Sequence, residues 1–132
     1  MLLLRAGLRI GGQHILSVPG RTSGVMRSIP VSLVTLDGVR YVVSGEGLSW
    51  VKNARAAGWA ELYRAGRRER VSLTELAADE RGPILRAFWQ QVPQGRPFIA
   101  RLFGLAPDAS VDDFEAAAPR CPVFRIDPFT VA

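Results

Sequence analysis

Residues 28–44, SIPVSLVTLDGVRYVVS, decide how this chain folds. Ile29, Val31 and Leu33 alternate with Ser28, Ser32 and Thr35, the period of two that a half-buried strand requires. Asp37-Gly38 is a two-residue hairpin signal, because both residues tolerate the positive φ of a type I′ turn. Arg40 to Ser44 then returns as the second strand. Upstream, residues 13–18 form another short apolar strand. Pro19 to Gly24 separates the two and is too rich in breakers to be an element.

Downstream, Ser49 is placed to cap a helix over residues 50–57, with Gly58 at its C-terminal end. Trp59 to Arg64 and Arg68 to Leu76 read as two more strands around an Ala65-Gly66-Arg67 turn. Asp79 is expected to open a second helix that runs to Val92, with Ile84, Leu85, Phe88, Trp89 and Val92 on one side and Pro93 as its stop. Residues 97–105 are apolar and predict a short helix or a lid, filling the core or covering an apolar ligand. Ser110, followed by Asp112, Asp113 and Glu115, starts a short helix that ends near Pro119. Cys121 to Ile126 is the last strand. The sum is a mainly β fold with added helices: five to six strands, mostly antiparallel, in a small closed or split β-barrel, with helices after strands three and five. No strand-helix-strand rhythm supports a doubly wound nucleotide fold. A single domain over residues 1–132 is expected at this length.

Composition narrows the function classes. Hydrophobic residues are 48% and charged residues 22%, an ordinary globular balance. One cysteine, Cys121, excludes an internal disulfide and a four-cysteine zinc site, and one histidine, His14, excludes a His-His metal pair. No metal site is expected. No apolar run approaches the ~20 residues that span a bilayer. Arg5 and Arg9 interrupt the apolar start Met1 to Leu4, so a signal peptide is not expected and a cytoplasmic location is.

Lys52 is the only lysine among 17 basic residues. Residues 1–60 hold seven basic groups against two acids, Asp37 and Glu46, whereas residues 61–132 hold ten of each sign. The net charge of +5 therefore belongs to the first half. Such a half suits an anionic ligand, an anionic membrane surface or nucleic acid. Nucleic acid is not expected, because no helix is dense in Arg or Lys and aromatics are few. Arg67, Arg68 and Arg70 read as a solvated surface beside a turn. Cys121 is expected to be a small core residue rather than a thiolate paired with His14. The acids at 112, 113 and 115 fit a helix N-terminus better than a cation site.

Gly20-Arg21-Thr22-Ser23-Gly24 offers backbone N–H groups and two hydroxyls to an anion. Arg27 stands three residues beyond on the flank of the next strand, where it can fork onto phosphate or carboxylate. An ordinary Gly-Ser-Thr loop is the plainer reading of the same residues. It is not a Walker loop, since no Gly-Lys-Ser/Thr follows.

This turn, with Arg27 and Pro30 after it, then a helix carrying Trp50, Asn53, Arg55 and Ala56, resembles the deazaflavin-dependent nitroreductases. These belong to the split β-barrel flavin-reductase superfamily. That family shows a Gly-Arg-basic-Ser/Thr-Gly turn, Arg and Pro at this spacing, a hairpin and a Trp-x-x-Asn-Leu/Ala-Arg-Ala helix. The tail Ala118 to Arg125 is similar to one branch of it. Four features depart from the pattern: Thr22 replaces a common basic residue, Glu46 a common lysine, Cys121-Pro122 stands where this branch has His-Pro, and a tyrosine-bearing C-terminal segment of some relatives is absent, Tyr41 and Tyr63 being the only tyrosines. The resemblance implies a site for coenzyme F420, whose phospholactyl-polyglutamate tail is anionic. Carried over by position, Arg21, Thr22, Ser23, Gly24 and Arg27 would hold the tail. Ile29, Pro30, Ser44 and Gly45 would lie along the ring, and Trp50 would wall the pocket. No catalytic side chain is implied. The implied activity is hydride transfer between reduced F420 and an electron-poor small-molecule acceptor: a quinone, an enone or a nitroaromatic. The alternatives are a non-catalytic binder of flavin, haem or fatty acid, and a flavin mononucleotide (FMN)-dependent oxidase on the same fold. Monomer and homodimer stay open, as does a weak peripheral contact with a membrane.

Overall fold

The computed structural model describes residues 13–45 and 47–129. The readings of the N-terminal segment and of Glu46 fall outside these residues. Six strands, β1 (Gln13–Pro19), β2 (Met26–Leu36), β3 (Val39–Val43), β4 (Trp59–Arg64), β5 (Arg67–Glu75) and β6 (Val123–Pro128), close into a barrel in the order β1-β2-β3-β6-β5-β4. Every neighbouring pair is antiparallel. Two tight turns set the register, pairing Leu36 with Val39 and Arg64 with Arg67. Their central residues, Asp37-Gly38 and Ala65-Gly66, all have positive φ, which matches the right-handed twist of the flanking strands.

Helix α1 (Ser49–Ala57) follows β3. Between β5 and β6 come α2 (Gly82–Gln91), α3 (Arg96–Leu102) and α4 (Val111–Ala116), with short 3₁₀ turns between them. The expected placement of helices after the third and fifth strands is what the chain adopts. Two apolar cores result. Leu16, Val31, Leu33, Val42, Leu62 and Phe124 fill the barrel, and α1 closes it with Val51 and Ala54. A second core lies between the outside of the barrel and α2–α4. It is centred on Phe114, which is wholly buried between Phe88 and Phe103, with ring centroids at 6.4 and 6.5 Å.

Several boundaries differ from expectation, each for a local reason. Leu48, not Ser49, occupies the N-cap of α1, and the Val51 and Lys52 N–H groups donate to its carbonyl. Asp79 sits in a 3₁₀ turn over Ala78–Glu80, where the Glu80 carboxylate accepts from the Ala77 N–H. The α-helix starts beyond it, at Gly82 with Pro83 in its first turn. Arg81 separates the two segments. Its guanidinium is buried, donating to the Leu76 and Ala118 carbonyls and to Glu75. The last strand starts at Val123 rather than Cys121, and continues to Pro128 because Val71 pairs there. Ser110 caps α4 as the sequence indicates, accepting from the Asp113 N–H while Asp113 accepts from the Ser110 N–H.

Candidate cofactor-binding site

Strand β2 runs well past its pairing with β3, and that overhang creates the site. On one side β1 pairs with residues 26–32; on the other, β3 pairs only with residues 33–36. The Leu36–Val39 pair flanks a two-residue turn. Even-numbered residues of β2 therefore aim their backbone groups toward β3, and odd-numbered ones toward β1. Thr35 confirms this phase. At that position the Gln91 side chain meets the strand: the Thr35 N–H donates to Gln91 Oε1 (3.1 Å), and Gln91 Nε2 donates to the Thr35 carbonyl (2.7 Å). By the same phase Pro30 points away from β1, which is why a residue without an N–H is accepted in mid-strand. Beyond Val43 the chain turns away from β2, so the barrel wall is split along residues 28–32.

A cleft of about 480 Å³ opens along this split. Ile29 and Pro30 of β2 form one wall, Val43 and Ser44 the other, and Trp50 of α1 one end. Trp50 is held against Phe124 with centroids 5.7 Å apart. The outer wall is helical: Phe88 and Val92 of the α2 region, then Phe98, Ile99 and Leu102 of α3. Ile99 faces the second core, whereas Phe98 is 57% exposed. The 97–105 segment thus both fills core and lines the cleft. Arg96 ties α3 to α2, donating to the Trp89 carbonyl at 2.6 Å with its guanidinium 3.7 Å from the Trp89 ring centroid. Gly45 lies where a Cβ would meet Leu102 at 3.2 Å, so the β3 exit and α3 approach closely only because no side chain stands there. Ser32, Ser44 and Gln94 are the polar side chains of the lining.

The 20–24 turn lies at the end of the same strand. Its exposed residues fold on themselves: the Gly20 N–H donates to the Val25 carbonyl, the Gly24 N–H to the Gly20 carbonyl, and the Val25 N–H to Ser23 Oγ. Gly24 has φ +77, a value that favours glycine. Arg21 is an anchor. Its N–H and its Nη1 both donate to Oδ1 of Asn53, at 3.0 and 2.8 Å, and Asn53 is buried in α1. The N–H groups of Thr22 and Ser23 have no partner among the described residues. Arg27 has no carboxylate within ion-pair distance among them either. Its Nε passes 3.5 Å from the point where a Gly20 Cβ would stand, and Ser23 Oγ is 3.2 Å from that point. A hydroxyl and a guanidinium thus converge over a bare glycine. On β2, Arg27, Ile29, Val31 and Leu33 share the face that turns into the barrel, so Arg27 stands about 7 Å along the strand from the cleft wall at Ile29.

The structure therefore joins Ile29, Pro30, Ser44 and Trp50 in one cleft, with Gly45 against its helical wall. Arg21, Thr22, Ser23, Gly24 and Arg27 lie in the turn at its end, and Arg21 is occupied by Asn53. Sequence reasoning missed Phe88 and Val92 as part of the cleft, since their i, i+4 spacing signals only a buried helix face. Trp59 is on the outside of the barrel, with Arg70 stacked 4.4 Å over its ring. Cys121 is wholly buried; its thiol donates to the Ala117 carbonyl, and burial pushes its pKa up to about 12. A thiolate partner for His14 is thereby removed. Asp112 and Glu115 both accept from Arg86, and no metal-binding cluster exists among the described residues. No described helix is long and apolar enough to cross a membrane.

No protein-family model matches the chain, and no curated protein does either. Solved structures do match. An F420-H2 dependent reductase (FDR-A) superposes with a TM-score of 0.57 at 20% identity, covering 89% of this chain and 95% of that one. A pyridoxamine 5′-phosphate oxidase-related, FMN binding protein from Nostoc punctiforme gives 0.62 at 14% identity, over 95% and 75%. A FAD-binding protein from Mesorhizobium loti gives 0.59 at 14%, over 98% and 89%. The chain shares the split-barrel fold of these flavin- and deazaflavin-associated proteins.

Proposed function

We propose that this chain binds a flavin-type redox cofactor in the β2 cleft, that the cofactor is coenzyme F420, and that the protein is an F420-dependent reductase. The observation that carries the reading is the continuity of the site along one strand. An apolar slot beside an unpaired stretch of backbone runs to a turn where Arg27, Ser23 and two N–H groups are available to an anion. The slot has the volume and apolar lining of a small-ligand site. The space above Gly20 is a cradle that a Cβ would fill.

In this reading Ile29, Pro30 and Trp50 hold the ring system, and the open edge of β2 offers the Pro30 carbonyl for orientation. Arg27, Ser23 and the Thr22 N–H hold the phosphate end, while Arg21 acts indirectly by fixing the turn to α1. Phe98 and Leu102 exclude water from the outer side of the slot. When bound, F420 supplies two-electron hydride chemistry toward quinones, enones or nitroaromatics. The apolar lining suits such acceptors, with Ser32 and Ser44 the hydroxyls of the lining able to hold a proton. FMN is the alternative cofactor, favoured by its occurrence in the name of one structural neighbour.

Titration of oxidised F420 and of FMN into the purified protein, followed by fluorescence, tests the proposal. Saturable F420 binding is expected, weakened by about 1.5–3 kcal/mol in Arg27→Ala if the guanidinium bonds the phosphate. FMN binding alone would replace F420 by FMN. Binding of neither would overturn the reading.

A further inference from the structure

The opposite mouth of the barrel carries a second concave site. A cavity of about 540 Å³ opens there, lined by His14, Arg40, Leu62, Arg64, Arg67 and Arg68, with Glu69 the one carboxylate of the lining. It lies about 20 Å from the Gly20 turn, six strand residues along β1. Strand phase explains why it is basic. Leu16, Val42, Leu62 and Val71 fill the barrel, so His14, Arg40, Arg64, Arg67 and Glu69, each an even number of residues away on its own strand, share the inward face. The run at 67–70 is thereby divided. Arg67 turns into the mouth, Arg68 lines its rim while donating to the Tyr63 hydroxyl, and Arg70 lies over Trp59 outside it.

The carboxylates nearby are engaged. Glu69 receives both ends of the Arg40 fork at 3.0 Å, and the Arg40 guanidinium holds its carboxyl below the usual range. Asp127 accepts from Arg125, and Glu61 lies 3.8 Å from Arg68 and 3.7 Å from Arg70. Arg64 and Arg67 have no carboxylate within ion-pair distance among the described residues, yet they are direct cross-strand partners beside the tight turn. Like charges at that position oppose folding. Two unpaired guanidinium forks facing one concave space, with Leu62 as an apolar floor, match a ligand with two or more negative charges.

We infer that this mouth binds a small polyvalent oxyanion, with phosphate groups or clustered carboxylates bridging Arg64 and Arg67. The inward aim of the two arginines favours a small anion over a flat polymer. The site is independent of the cofactor cleft and stands whatever that cleft binds.

His14 lines the cavity and is the only histidine of the chain, so its ring protons report on the site without labelling. Pyrophosphate added at constant ionic strength should shift the His14 ring resonances saturably, and sodium chloride should not. Citrate in parallel tells a phosphate-bearing ligand from a polycarboxylate, and a saturable response to either supports the site. The Arg64→Ala/Arg67→Ala double variant should bind at least about tenfold more weakly, while Arg27→Ala, at the other end, should respond as the parent does. No saturable shift with either anion, or the same affinity in the double variant, would overturn the inference. The measurement on the parent protein decides even if the variant fails to fold.

Discussion

Gly20 shows how much one missing side chain does here. A methyl group at that position would stand 3.2 Å from Ser23 Oγ, 3.3 Å from the Val25 carbonyl and 3.5 Å from Arg27 Nε. Gly20→Ala should therefore displace the side chains that converge on the turn. Isothermal titration with F420 is expected to show at least about a tenfold loss of affinity, and thermal melting a smaller change, because the turn is exposed. Cys121 makes the reverse case of a residue with no role in binding. Burial pushes its thiol pKa up from the ordinary value of 9.0 to about 12. The folded state holds the proton more tightly, so the contribution is complete below pH 9 and is lost as pH rises toward 12. Denaturation in urea between pH 9 and 11 should show falling stability, and a Cys121→Ala variant a shallower fall. A thiol reagent at pH 8 should react only as fast as the protein unfolds. Both residues could be singled out in the sequence; what the sequence hides is that Arg21 belongs to Asn53, a partner 32 positions away.

At the scale of elements, the overhang of β2 beyond its pairing with β3 matters most. Gln91 holds β2 beyond its pairing with the described part of β1 by bonding both backbone groups of Thr35. Removing it in Gln91→Ala is expected to destabilise the fold by about 1–2 kcal/mol, read as a shift of the urea midpoint without a change in slope. The hairpins were legible because Asp37-Gly38 and Ala65-Gly66 state the turn locally. The start of α2 was not, since Asp79 and Glu80 look like a helix N-terminus but serve a 3₁₀ turn. The break at Arg81 depends on carbonyls of Leu76 and Ala118, and Ala118 lies 37 residues away. The helical wall of the cleft was hidden for a similar reason. Phe98 and Ile99 are adjacent apolar residues, and only the packed structure tells which faces the slot's open side and which the core.

Taken as a whole, the molecule presents cation-rich surfaces at both ends of a barrel, and the split in its wall lies between them. At the second end Arg67, Arg68 and Arg70 are solvent-exposed, as their run beside a turn indicates, while strand phase, not composition, sets Arg64 and Arg67 on the side of the mouth. The split itself carries a hazard that the ends do not. A bare strand edge can recruit a strand from a second molecule, the step that starts ordered aggregation. Pro30 sits in the middle of that edge and withholds the N–H such a recruit would need. Pro30→Val should leave the chain folded yet hasten turbidity at raised concentration, with light scattering as the measure, and a ligand lodged in the slot should suppress it. The same imide ring that leaves room for a guest also keeps the protein from becoming its own guest.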